Sequence, residues 1–128
     1  MKILVLLFCT CLLLSGCQPI ENSARDAIAA ADGFISQAQR NHLDECKANP
    51  SKPFPCVKLN QAVGAQNLLI DVTEQYCGWP NRPGAAELKA LAGQKCIQNK
   101  TILPYLKNAV ASLNSVLADY KTASGGKP

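Results

Sequence analysis

The chain is poor in the residues that most catalytic and cofactor sites need. It has one histidine and one tryptophan, aromatic residues make up 5% of its 128 residues, and 17% are charged. It contains no C-x-x-C, no C-x-x-C-H and no glycine-rich phosphate loop, which argues against thiol redox chemistry, covalent haem and nucleotide binding. We therefore expect no enzyme, no cofactor and no metal site.

Strand signals and excess charge are also scarce. Alternating patterns and β-branched clusters are absent outside the N-terminal segment. The formal net charge of +4 is too small to indicate nucleic-acid binding. The charge is uneven, however, because residues 17–79 carry five basic and seven acidic residues, whereas residues 80–128 carry seven basic and two acidic ones.

The N-terminus carries an apolar segment with the layout of a secretory signal peptide. Ile3 to Leu14 contains no charge and follows Met1-Lys2, and the segment is shorter than the roughly 20 residues that span a bilayer. It ends in Leu14-Ser15-Gly16-Cys17. This ending resembles the lipobox of bacterial lipoproteins.

The resemblance implies a small bacterial lipoprotein. Residues 1–16 would be the cleaved signal peptide, the Cys17 thiol would carry a diacylglycerol, and the new amine would be acylated. Gln18, a residue other than aspartate, favours the outer membrane. Location in the cell envelope follows, on the periplasmic or the surface face. The Tyr76-Cys77-Gly78-Trp79 sequence is similar to that of uncharacterised helical lipoproteins, from which no activity carries over.

Three long segments show the apolar spacing of amphipathic helices. In the last segment this spacing runs from Asn99 through Leu103 and Leu106. In the first it predicts one face made of Ala24, Ile28, Ala31, Ile35, Ala38 and His42. Asn22 or Ser23 is the expected N-cap of the first. The last either kinks at Pro104 or begins near Thr101 with the proline in its first turn. The predicted helices cover residues 23–47, 56–76 and 96–120, and a shorter one covers residues 85–92.

These helices predict an all-α domain, an antiparallel three-helix bundle with a short extra helix. We expect a lipidated tether over residues 17–22, the bundle over residues 23–122 and a disordered tail over residues 123–128. In this arrangement each helix end lies beside the start of the next helix.

The cysteines fit this arrangement. Apart from Cys17 and the two in the signal peptide, four remain, and an even count in a small exported domain predicts two disulfides. Consecutive helix ends meet, whereas the other two pairings would cross a length of about 30 Å. The predicted pairs are Cys46–Cys56 and Cys77–Cys96.

Two groups of residues are candidates for interaction. Lys100 and Lys107 belong to a row of lysines beside the last apolar stripe, with Lys89 and Lys121. The row is either a solvated face that partly pairs with Glu21 and Asp32, or a basic strip facing anionic lipid headgroups or lipopolysaccharide, or a surface for an acidic protein.

Trp79 and Arg82 form the second group. A rigid aromatic residue near an arginine is common in recognition sites; the alternative is that Trp79 covers the end of the core. His42 lies on the apolar stripe of the first helix, where we expect a partly buried structural residue.

The sequence thus favours a membrane-anchored lipoprotein that acts as a structural or protein-interaction module of the envelope. Its expected partners are the membrane, through the lipid, and either another envelope protein or anionic headgroups. The alternative is a small-ligand-binding lipoprotein or an exclusion or inhibitor lipoprotein.

Overall fold

The computed structural model describes residues 19–79 and 95–127. Within these ranges the chain forms three α-helices and no strand: α1 spans Ile20–Ala48, α2 spans Lys58–Cys77 and α3 spans Leu103–Ala123. The expectation of an all-α protein with three main helices is confirmed. The signal peptide expected over residues 1–16, the short helix expected over residues 85–92, and the residues Cys17 and Arg82 lie outside the described residues.

Helix α1 buries the stripe that its sequence spacing predicts. Its inward positions are all buried, and they are mostly alanines, so neighbouring helices approach closely. The helix begins at Ile20, earlier than the expected Ser23, with Pro19 as N-cap residue and no side-chain cap. Ile20 packs against the core one turn before the first buried alanine. The buried residues are Ala24, Ile28, Ala31, Ile35 and Ala38.

The segment between α1 and α2 is proline-rich. Phe54 is extended, at φ −129° and ψ 134°, and the π-helical turn Pro53–Val57 leads into α2. The Phe54–Pro55 peptide is cis. Helix α2 ends at Cys77 and is capped by Gly78, whose φ of 66° suits a residue without a side chain.

Helix α3 begins at Leu103 rather than at Cys96, and Pro104 lies in its first turn. Proline fits there because the first N–H groups of a helix have no partner within the helix. The segment before α3 is not helical and is hydrogen-bonded to the end of α2. The Ile97 and Asn99 N–H groups donate to the carbonyls of Cys77 and Tyr76, at 3.1 and 2.7 Å.

Asn99 then forms the turn that leads into α3. Its side-chain Oδ1 accepts hydrogen bonds from the Thr101 N–H at 3.1 Å and the Thr101 hydroxyl at 2.6 Å. Such side-chain bonding to the following residues favours a turn over a helix. This local competition explains why the helix begins only at Leu103.

Two disulfides lie at opposite ends of α2. Cys46 is joined to Cys56, with a sequence separation of 10, and Cys77 to Cys96, with a separation of 19. Each of the three helices packs against the other two, so the fold is a helical bundle. One end of α2 is therefore tied to α1 and the other to the segment before α3.

Aromatic rings from three parts of the chain fill the space near the Cys46–Cys56 disulfide. Tyr120 is fully buried, and its ring lies 5.3 Å from that of Phe34 and 5.2 Å from that of Phe54. Burial, followed by the negative charge of Glu45, raises the pKa of Tyr120. Beyond it, the N–H groups of Ser124, Gly125 and Gly126 bond back to the end of α3, in the region expected to be a tail.

Candidate functional site

The beginning of α1 and the segment before α3 lie side by side. The Gln98 side-chain amide donates to Glu21 Oε1 at 3.1 Å. The Arg25 guanidinium lies 4.9 Å from the centre of the Trp79 ring. We call this part of the bundle, with its disulfide, the Cys77–Cys96 end.

The short stretch of chain between Cys17 and α1 limits how far Cys17 can lie from this end of the bundle. Ile20 follows Cys17 by three residues, and an extended chain spans at most about 3.6 Å per residue. The Cys17 Cα therefore lies within about 11 Å of the first residue of α1.

Residues 95–100 present an apolar side chain between two cations. Ile97 is 71% exposed, and Lys95 and Lys100 are exposed as well. From residue 95 to residue 118 the chain contains three lysines and no carboxylate, the third being Lys107 on α3. The carboxylate of Glu21 is turned inward, since Oε1 accepts from Gln98 and Oε2 is buried.

The lysines expected to form one basic strip lie on different parts of the chain. Lys100 precedes α3, and Lys107 is exposed near its beginning. Lys121 lies near the end of α3, where its ammonium is 5.2 Å from the centre of the Phe34 ring. Lys89 lies outside the described residues. Of the carboxylates expected to pair with these lysines, Glu21 bonds to Gln98 instead.

Trp79 is half-buried and packs against the core. In the described part of the chain its indole Nε1 is buried and makes no hydrogen bond. This position, with Arg25 stacked on the ring, is that of a residue covering the end of the core. Trp79 and the exposed Ile97 belong to the same end of the bundle.

A second surface lies at the opposite end, where α1 faces the start of α2. It is an open groove of about 540 Å³. Leu43 and Leu59 supply apolar contact, Arg40 and Lys47 supply positive charge, and no carboxylate of residues 19–79 or 95–127 lines the groove. At 1.5 Å per residue, Arg40 and Lys47 lie about 30 to 40 Å along α1 from Ile20.

His42 borders this groove. Its Nδ1 lies 3.3 Å from Glu45 Oε2, and the other carboxylate oxygen of Glu45 accepts a hydrogen bond from Lys52. The hydrogen bond from Lys52, helped by His42 and opposed by burial, lowers the pKa of Glu45. Within residues 19–79 and 95–127, no hydroxyl or thiol hydrogen-bonds to His42, and Cys46 beside it is oxidised.

No group of three or more His, Cys, Asp or Glu side chains in the described ranges is placed to hold a metal ion. Among the described helices, none is long and apolar enough to cross a bilayer. No protein-family model matches the chain, and neither a curated protein nor a solved structure is significantly similar to it.

Sequence reasoning missed Ile97, Lys95 and the groove. Ile97 could have been found from the sequence, because it is apolar but lies outside the apolar stripe that continues through Leu103 and Leu106. The groove gives none, since it arises where residues 36–47 meet residues 59 and 60 across two helices.

Proposed function

We propose that the chain is a lipid-anchored protein of the bacterial cell envelope that acts as an interaction module. The observation that carries the proposal is the sequence Leu14-Ser15-Gly16-Cys17 at the end of an uncharged apolar segment. One acyl chain binds a membrane only marginally, whereas two or three chains on one residue anchor it stably. Gln18 favours the outer membrane.

The beginning of α1 supports close attachment. Because α1 starts at Ile20, only two residues, Gln18 and Pro19, separate the lipidated Cys17 from a rigid helix. The Cys77–Cys96 end would face the bilayer, and the groove would stand about 30 to 40 Å away along α1. We also propose that consecutive helices run antiparallel, which the disulfides and the 3.3 Å hydrogen bond from Gln66 to the Ile28 carbonyl support.

Lipidation is tested by expressing the full chain in a lipoprotein-processing bacterium with a palmitate analogue. The product should carry the label and begin at Cys17 by intact mass. A Cys17→Ser variant should be unlabelled and retain residues 1–16. Cys11→Ser is the matched control, since that thiol lies in the proposed signal peptide and its loss should leave labelling unchanged. An unlabelled wild-type product contradicts the anchor.

The groove is the surface we propose for a protein partner. Its two cations and its leucines suit an acidic segment that also carries an apolar side chain. A small-ligand-binding function is the alternative, and the volume of about 540 Å³ falls within the range of ligand sites.

The two functions differ in what a photo-crosslinker captures in living cells. Leu43 is in the groove and 51% exposed, and Leu68 is outside it and 50% exposed. A crosslinking residue at position 43 should give a defined protein adduct that position 68 does not give, and Arg40→Glu with Lys47→Glu should abolish that adduct. Absence of a position-43 adduct, together with a small molecule that co-purifies and is lost in the double variant, favours the alternative.

A further inference from the structure

We propose that the Cys77–Cys96 end docks on the anionic lipid headgroups of the bilayer that holds the protein, with Lys95 and Lys100 over the headgroups and Ile97 inserted between them. This inference rests on the proposed function, because the lipid on Cys17 brings this end of the bundle to the bilayer. It adds a second, non-covalent membrane contact to the covalent one.

The first support is the direction in which the side chains point. Cys96 faces α2 through its disulfide, and Gln98 faces α1 through its hydrogen bond to Glu21. Ile97 lies between them in a non-helical segment, and its side chain is turned away from the bundle and 71% exposed. Exposure of this apolar side chain to water is unfavourable, and its insertion below the headgroups removes apolar surface from water, which is favourable.

The second support is rigidity. The Cys77–Cys96 disulfide and the hydrogen bonds from the Ile97 and Asn99 N–H groups fix the segment to the end of α2. Docking therefore orders little additional backbone. Because this entropy cost is small, most of the interaction free energy contributes to the binding free energy.

The third support is charge. The exposed lysines at positions 95, 100 and 107 stand in a stretch of 24 residues, 95 to 118, that has no carboxylate. Each basic residue near an anionic surface favours the bound state about fivefold. Lys95 and Lys100 together would favour the docked orientation by about 30-fold, an effect that salt weakens.

The test uses the full chain, purified with its lipid and reconstituted into vesicles. One set of vesicles contains phosphatidylethanolamine and phosphatidylglycerol, and the other contains phosphatidylcholine alone. Trp79, the only tryptophan, reports docking through quenching by a headgroup spin-labelled lipid. We expect stronger quenching on the anionic vesicles, and several-fold slower acetylation of Lys95 and Lys100 there. Lys47 and Lys127, which are exposed near the other end, should react equally on both.

Matched variants locate the contact. Lys95→Gln with Lys100→Gln should lower the docked-to-undocked ratio about 30-fold, whereas Lys58→Gln with Lys127→Gln removes the same charge at the other end and should change it less than about twofold. Ile97→Ser should lower the ratio several-fold, and Leu68→Ser should not.

Three results would overturn the inference, and they are distinguishable. If the protein floats with both kinds of vesicle and Trp79 quenching is equal, the anchor stands and the docking surface does not exist. If both lysine pairs lower the ratio equally, overall charge acts rather than this end of the bundle. If the protein does not float with vesicles at all, the anchor fails and the docking inference fails with it.

Discussion

Removal of the Cys77–Cys96 disulfide should be strongly destabilising. In the chain-entropy account, a bond that closes a loop of 19 residues lowers the entropy of the unfolded chain. This raises the free energy of unfolding by about 3 kcal/mol. The loop of 10 residues closed by Cys46–Cys56 gives a value about 0.5 kcal/mol smaller. Since small domains have total stabilities of about 5 to 15 kcal/mol, either bond contributes a large share.

The assay is urea unfolding of residues 18–128 followed by far-ultraviolet circular dichroism. With a slope of about 1 to 1.5 kcal/mol per molar urea, Cys77→Ala with Cys96→Ala should lower the midpoint by about 2 to 3 M. The Cys46→Ala, Cys56→Ala variant should show a slightly smaller decrease. The slope should also rise, because the unfolded chain without the bond is more expanded.

Hydrogen exchange distinguishes the two pairs. The Ile97 and Asn99 N–H groups donate to carbonyls at the end of α2, so they should lose protection when Cys77–Cys96 is removed and keep it when Cys46–Cys56 is removed. Midpoints unchanged in both double variants would refute the loop argument. Equal exchange of Ile97 and Asn99 in the two variants would refute the attachment of this segment through its disulfide.

Three further predictions concern the core. Among the described residues the buried Tyr120 hydroxyl has no hydrogen-bond partner, so Tyr120→Phe should raise the free energy of unfolding by about 1 kcal/mol. Burial also raises the pKa of Tyr120 and Tyr76; the folded state then retains protons that the unfolded state releases, and stability should fall as pH rises above about 10. The Tyr76→Phe, Tyr120→Phe variant should flatten that decline in urea midpoints between about pH 9 and about pH 11, and an unchanged slope would contradict this. Leu113→Ala should cost about 3 kcal/mol, because Leu113 is fully buried, whereas the same change at the half-exposed Leu68 should cost less than about 0.5 kcal/mol; similar losses at both positions would exclude the assigned core.

The inward face of α1 was predictable residue by residue, because helical spacing is a local property of the sequence. His42 at the end of that stripe is half-buried, as expected. The start of α3 was ambiguous, since the apolar spacing runs on through Asn99 and only the competing side-chain bond of Asn99 to Thr101 decides it. The groove could not be predicted, because it depends on how closely α1 approaches α2.

The sign of the charge in residues 80–128 was readable from composition, but its distribution was not. Lys100 and Lys121 fall on one helical face only if the helix begins before residue 100. Because it begins at Leu103, Lys100 belongs to the segment tied to α2 and Lys121 to the aromatic cluster around Phe34.

Each disulfide joins a cysteine to the next one that follows it among the four in the bundle. A chain that leaves a ribosome or a translocation pore from its N-terminus therefore exposes the correct partners one after the other. An oxidase that pairs these four thiols in the order in which they emerge would make both native bonds directly, with no bond left to rearrange.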